Sequence, residues 1–268
     1  MRVDLAINPF GAEVGQMVAL AEAAEAIGVH GVWVADHYSG AVVGRPWSRD
    51  PFVCLGAIAA RTDRIRLGVL VANMMNRHVV QLSSAVDSLR SLAPGRVVCG
   101  LGSGAAPRSR FAIEHEMIGT RLGDLDERRR GLIETIVGLR AIWSGGVANP
   151  SSGTAPCGFD QLDAIVEPGP MPPVVVGASA WPTVKLAAQV ADGVNIRETR
   201  ALTDVLAQLV AVRPQHFEVS VLTWLDEASV DSIDRLARAG VDRVVLGCSA
   251  PHRVEQLDRV AVLLDHVS

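Results

Sequence analysis

Val32-Trp33-Val34-Ala35-Asp36-His37 is an apolar run of strand-forming residues that ends abruptly in a carboxylic acid and an imidazole. Gly31 precedes it, and a loop from Tyr38 to Trp47 follows. A strand that is apolar on both faces is buried on both faces, which is the habit of parallel sheets. Titratable side chains at its C-terminal end are what a closed parallel barrel gathers around its mouth. The fold therefore turns on whether the other strands share this pattern and end in the same place.

Working outward, strand-like runs alternate with helical stretches along the chain. Val3 to Asn8, Val32 to Ala35, Ile65 to Ala72, Arg96 to Leu101, Pro173 to Ala178, Gly193 to Ile196, Glu218 to Thr223 and Arg243 to Leu246 read as eight strands. Helices are expected at Val14 to Ile27, Asp50 to Ala60, Val79 to Leu92, Glu127 to Trp143, Thr183 to Ala191, Ala201 to Val212, Ala228 to Ala239 and Pro251 to Val267. Gly28 stops the first helix, and Pro51 sits in the first turn of the second, where its missing N–H costs nothing. This alternation predicts an α/β fold, a single (β/α)8 TIM barrel domain over residues 1–268. An open doubly wound sheet has the same rhythm, but no GxGxxG follows the first strand, which lowers its dinucleotide-binding version. Irregular insertions are expected at about 102–124 and 145–172, the second rich in Gly, Pro and Ser with a short possible strand at Ala164-Ile165-Val166.

A formal charge of -4, with 20% charged residues and no long basic run, gives no reason to expect a nucleic-acid partner. Arg128-Arg129-Arg130 follows Asp124, Asp126 and Glu127 and reads as the solvated start of a helix in preference to an anion site. Cys54, Cys99, Cys157 and Cys248 have no ligand spacing, which fits a reduced, intracellular protein. The start goes straight into a strand, and no apolar run approaches the roughly 20 residues of a membrane span. A cytoplasmic protein without a membrane partner is expected.

The strand ends supply the chemistry. They are Asn8-Pro9-Phe10, Asp36-His37, Asn73-Met74-Met75-Asn76, Gly102-Ser103-Gly104, Gly177-Ala178-Ser179-Ala180, Asn195-Ile196-Arg197, Trp224 and Gly247-Cys248-Ser249. Only Asp36 brings a carboxylate clearly to the rim, which argues against a glycosidase needing two. His37 and His78 lack the further acids and histidines of a metal site, so no metal is expected. Gly102-Ser103-Gly104 is not the GxSxG elbow of a serine hydrolase.

Glycines do recur at the ends of strands four and five, where backbone N–H groups can approach a ligand. Gly177-Ala178-Ser179-Ala180, running into a helix at about Thr183, reads either as a phosphate cradle or as an ordinary turn. Asp36-His37 reads either as the reactive pair or as a helix cap with a packed histidine. Phe10, Tyr38, Trp47, Met74, Met75 and Trp224 make either an aromatic-lined substrate cleft or core.

Taken in order, Gly31 to His37, Arg64 to Val69, Asn76-Arg77-His78, Pro94 to Gly104, Pro173 to Ala178 and Ala191 to Asn195 resemble the bacterial-luciferase-like flavin and deazaflavin oxidoreductases. The similarity spans nearly the whole chain, and that family's fold is a (β/α)8 barrel. Asp-His after strand two is similar to members that use coenzyme F420, an 8-hydroxy-5-deazaflavin, whereas FMN-using members more often carry Glu-His. The resemblance implies an F420-dependent oxidoreductase acting on a small organic substrate. His37 would handle the proton that accompanies hydride transfer, and Asp36 would orient the coenzyme and the imidazole. It implies a cis peptide at Leu70-Val71 behind the coenzyme ring, and places Asn73, Gly102, Gly104, Gly177, Ala178, Ser179, Ala180 and Thr183 around the coenzyme. A homodimer follows by family analogy.

The departures open alternatives. Ala105 stands where the family's sugar-phosphate dehydrogenases carry a glutamate, Ala180-Trp181 replaces a commoner Gly-Pro, and the stretch from Asn149 to Pro168 is short for the family's insertion. An FMNH2-dependent luciferase-like monooxygenase served by a separate flavin reductase is the alternative within the fold. A coenzyme-binding barrel without turnover is the alternative outside enzymology, suggested by Ala105 and the short insertion.

Overall fold

The computed structural model describes residues 1–145, 165–167 and 169–267. Among the described residues nine parallel segments form one sheet: β1 (Arg2–Ile7), β2 (Gly31–Val34), β3 (Arg66–Val69), β4 (Ala72–Asn73), β5 (Val97–Gly102), β6 (Val174–Gly177), β7 (Gly193–Arg197), β8 (Glu218–Trp224) and β9 (Arg243–Cys248). Their order is β3-β2-β1-β9-β8-β7-β6-β5-β4, and an additional β3–β5 pairing closes the ring. The expected barrel is therefore present, with one strand in two pieces. β3 pairs with β2 and β5, whereas β4 pairs with β5. Between them lies the Leu70-Val71 peptide, which is cis as the family resemblance implied.

The helices are α1 (Val14–Ala26), α2 (Pro51–Ala59), α3 (Val79–Leu92), α4 (Ile113–Met117), α5 (Leu125–Trp143), α6 (Trp181–Val190), α7 (Leu202–Val210), α8 (Val230–Arg238) and α9 (Leu257–Val267). Side chains cap several of them. Asp50 accepts from the Phe52 and Val53 amides at α2, and Asp124 from those of Asp126 and Glu127 at α5. Two expectations need correcting. The stretch expected to be irregular at 102–124 contains α4, whose five residues are too few to show a helical period. Of the short strand expected at Ala164-Ile165-Val166, Ala164 lies outside the described residues, and Ile165 and Val166 lie in a bend.

Because successive strand side chains alternate, the ring separates two apolar layers. The outer layer, including Val3, Leu5, Val32, Leu67 and Val176, packs against the helices. The inner layer holds Trp33, Val98, Val175 and Val245. Trp33 sets the spacing inside. A Cβ on Gly68 would lie 2.5 Å from its ring, so that strand position needs glycine.

Trp33 Nε1 donates to Asp4 Oδ2 at 2.8 Å, and Arg243 donates to the other Asp4 oxygen at 2.5 Å. Glu218 accepts from both Arg243 and Arg66, which completes a charged floor at the amino ends of the strands. Two open clefts of about 630 and 540 Å³ lie on this floor side. Arg213–Asp242, Arg140–Asp192 and Arg66–Glu218 balance their charges, so the floor reads as scaffold.

Candidate active site

His37 follows the C-terminal end of β2 and the Gly177–Ala180 turn follows that of β6, so parallel strands put both at one rim. The imidazole is held at one nitrogen. His37 Nδ1 lies 2.7 Å from Oε2 of Glu114, a residue of α4. The other oxygen of Glu114 accepts from the backbone amides of Tyr38 at 2.7 Å and Ser39 at 2.8 Å. Burial pushes the Glu114 carboxyl up, but bonds from the His37 ring and the Ser39 and Tyr38 amides outweigh it, holding the group below the usual carboxylate value.

Phe111 stacks on the His37 ring at a centroid distance of 4.5 Å, and Phe10 lies against it at 5.2 Å. His115, beside Glu114 and also buried, places Nε2 3.3 Å from both the Ala105 amide and Asn73 Nδ2. Burial lowers the His115 pKa, with Arg128 and His37 acting in the same direction against Glu114, so this imidazole is neutral near pH 7.

Sequence reading gave Asp36 as the rim's one clear carboxylate. The structure corrects this by bringing Glu114 to His37 across 77 positions of sequence. Glu114 lies in a stretch read as irregular, and its only local signal was the acid-rich Glu114-His115-Glu116 run. Asp36 has a different set of partners. Its Oδ2 accepts from the Asn73 amide at 3.0 Å and from Arg77 at 2.7 Å, and Arg77 also bonds Asp50. Asp36 thus ties the end of β4 and the segment after it to β2. Asn73 is at the rim, with its side-chain oxygen accepting from the Met75 amide.

The rim glycines have a packing reason. A Cβ on Gly102 would lie 2.5 Å from one Val71 methyl, and one on Gly177 would lie 2.7 Å from the other. Val71, projecting from the break between β3 and β4, fills the space beside both. Gly104 has φ +86°, a left-handed backbone that favours glycine, and lies next to Met75.

At β6 the Ala178 amide is spent on Asn195 O, and α6 then begins at Ala180 with no side-chain cap. The α6 start has no side-chain cap, but Pro182 carries no N–H and the Thr183 amide already bonds Ala180 O, so what it offers an anion is the Ser179–Ala180 turn and the Trp181 amide. Arg129 Nε donates to Thr183 Oγ1 in the first turn of α6 at 3.3 Å. A cation, a hydroxyl and an uncapped helix start therefore meet at one place. Sequence reading had treated the arginine run as solvated. Neighbouring Arg128 is buried and donates to Ala105 O at 2.9 Å. Trp181 packs partly buried against the outer core.

Of the expected aromatic lining, Phe10 touches His37, whereas Tyr38 and Trp47 stand partly exposed beyond it and Met74 packs on the core. Among the described residues no three His, Cys, Asp or Glu gather as a metal site. The rim can hold an anion at α6 and a proton at His37.

Comparison with known proteins agrees with this architecture. The profile of the luciferase-like monooxygenase family matches residues 3–213. The F420-dependent hydroxymycolic acid dehydrogenase of Mycobacterium tuberculosis is 32% identical over 203 residues, 73% of this chain and 52% of that protein. The 5,10-methylenetetrahydromethanopterin reductase of Methanolobus tindarius is 28% identical over 202 residues, 75% of this chain and 52% of that one. The chain thus spans about half the length of these curated relatives. A solved F420-dependent secondary alcohol dehydrogenase in complex with an F420-acetone adduct shares the fold. Its TM-score is 0.80 at 15% sequence identity, covering 100% of this chain and 99% of that one. On the profile match, which runs through most of the barrel, the chain belongs to the luciferase-like monooxygenase family.

Proposed function

We propose that the protein is an F420-dependent oxidoreductase that moves hydride between the coenzyme and a small organic substrate. The observation that carries this reading is the pairing, at one rim, of a carboxylate-held imidazole with an uncapped helix start flanked by Arg129 and Thr183. The donor set fits the coenzyme. Ser179, Ala180, Thr183 and Arg129 would hold its phosphate, and Val71, Asn73 and Gly104 would line its ring side. When bound, the deazaflavin would supply a carbon that accepts or gives hydride. His37 would move the accompanying proton, and the Asp36–Arg77 pair would hold the rim in register.

The name of the F420-dependent hydroxymycolic acid dehydrogenase points the same way. Among the described residues no helix is long and apolar enough to cross a membrane. We include a cytoplasmic location and a homodimer in the proposal, the dimer by family analogy. The barrel without turnover loses ground, because Glu114 holds the His37 imidazole by one nitrogen and leaves the other uncommitted among the described residues. The FMNH2-dependent monooxygenase stands as the second reading, favoured by the family's own description.

Titrating the purified chain with F420 and, anaerobically, with FMNH2 tests the proposal. Micromolar F420 binding with substrate-dependent change in its absorbance is expected. Binding of FMNH2 alone would overturn it in favour of the monooxygenase. Light scattering tests the dimer.

A further inference from the structure

The Glu114 carboxylate divides its work between its two oxygens. Oε1 accepts from the amides of Tyr38 and Ser39, and Oε2 faces the His37 ring. Backbone amides donate and cannot do otherwise, so the orientation of the carboxylate is fixed from one side. An ionised carboxylate has no proton to give, so His37 Nδ1 must be the donor in their bond. Phe10 and Phe111 pack against the ring. A 180° ring flip would put a carbon at Glu114 and forfeit the hydrogen bond. The other nitrogen, Nε2, has no hydrogen-bond partner among the described residues, and a quarter of the side chain is exposed.

The helix that delivers this carboxylate is turned against ordinary packing preference. α4 buries Glu114 and His115, yet leaves Ile113 60% and Met117 61% exposed. Burial of apolar groups favours the opposite face. The inward face instead carries polar bracing, with Glu114 on the segment after β2 and His115 Nε2 on Asn73 and Ala105, while His115 Nδ1 is buried without a partner among the described residues.

We propose that Glu114 is the positioning residue for His37, fixing its proton on Nδ1 so that Nε2 presents a lone pair to the mouth of the barrel. This inference rests on the F420-dependent reading for its catalytic meaning, and on Glu114 geometry alone for the tautomer. With a carbinol as substrate, the bound oxidised coenzyme would supply the acceptor for the C–H electron pair, which would leave as hydride. The O–H pair becomes the second bond of the carbonyl, and the proton goes to Nε2. Glu114 then faces an imidazolium, the charge it is placed to balance. In the reverse direction the same Nε2–H returns the proton to the carbonyl oxygen.

The test is Glu114→Gln. The amide keeps its oxygen on the Tyr38 and Ser39 donors, which turns its NH2 toward His37. Nδ1 must then accept, and the ring proton moves to Nε2. Nitrogen-15 NMR of the ligand-free protein at alkaline pH, with His37 assigned through His37→Gln, reads this directly. The wild type is expected to show Nδ1–H with bare Nε2, and E114Q the reverse. With F420 bound, E114Q is expected to lose about 100-fold or more in kcat while the coenzyme Kd changes little. Glu114→Asp, still an acceptor, is expected to keep the wild-type tautomer and recover part of the rate.

A wild-type spectrum showing Nε2–H overturns the proposal, and needs no variant to fold. An E114Q protein that loses turnover with an unchanged tautomer also overturns it, since Glu114 is then structural only. If the chain binds no F420, the functional reading fails while the spectra still decide the role of Glu114.

Discussion

His37 has one committed nitrogen and one available nitrogen, and the difference comes from a residue that no local pattern associates with it. Removing the imidazole tests its role. His37→Ala is expected to lower turnover by about 100-fold or more, the usual contribution of a general acid-base group, while coenzyme affinity changes little. Unchanged turnover in steady-state assays would make His37 a packing residue. Glu114 carries its own pH signature. Its carboxyl is held below the ordinary value in the fold. A depressed carboxylate contributes stability that is fully present above the unfolded pKa, about 4.3, and is lost as pH falls through the folded pKa. Urea denaturation should therefore find E114Q less stable than wild type at neutral pH. That difference should shrink below about pH 4, as the wild-type carboxylate takes its proton.

Elements were legible where their pattern ran long enough. β2 announced itself by the apolar run Val32 to Ala35 followed by Asp36-His37, and α5 by Asp124, Asp126 and Glu127 leading into Arg128-Arg129-Arg130. The break between β3 and β4 was invisible to hydrophobic patterning, because Leu70 and Val71 continue the apolar run without interruption. Only the family resemblance pointed to it. α4 hid for the opposite reason. It is five residues long, and its apolar residues face outward. The rim glycines were seen but explained by ligand approach, whereas Val71 occupies the space beside Gly102 and Gly177. That packing predicts a cost. Valine methyls are stiff about χ1, so Gly177→Ala should destabilise by about 1–3 kcal/mol in urea unfolding. Val71→Ala opens room for the new methyl. The double variant should be less destabilised than the two single changes summed, a shortfall of order 1 kcal/mol. At α6, Arg129→Ala should raise the F420 Kd about 10- to 100-fold, the worth of a charged hydrogen bond, with kcat little changed.

Across the whole molecule the barrel separates its charges into two ends, one that the chain satisfies by itself and one that it leaves open. At the mouth, the α6 start and His37 Nε2 have capacity to spare. At the floor, Asp4, Arg243, Glu218 and Arg66 answer one another, with Trp33 tying the floor to the inner core. Such a floor adds little net stability compared with apolar packing, but breaking it from one side is costly, because a buried charge is left alone. Arg243 is the sensitive member, since it is fully buried and serves two carboxylates. Glu218 would still have Arg66 after its loss, but among the described residues Asp4 would keep only the Trp33 indole N–H. Arg243→Met should therefore cost about 3–5 kcal/mol at neutral pH. Asp4→Asn should cost less, because Arg243 keeps Glu218 and the amide oxygen can still accept from Trp33. The sign with pH follows from Asp4. Burial already raises its pKa, against the pull of Arg243 and the Trp33 bond, and removing Arg243 raises it further. A carboxyl whose folded pKa lies above its unfolded value destabilises the fold at higher pH, and this penalty is relieved as pH falls through the folded pKa. The R243M deficit, measured by urea titration, should thus shrink between neutral and mildly acidic pH, and a deficit that grew on acidification would show that Asp4 is not the stranded charge.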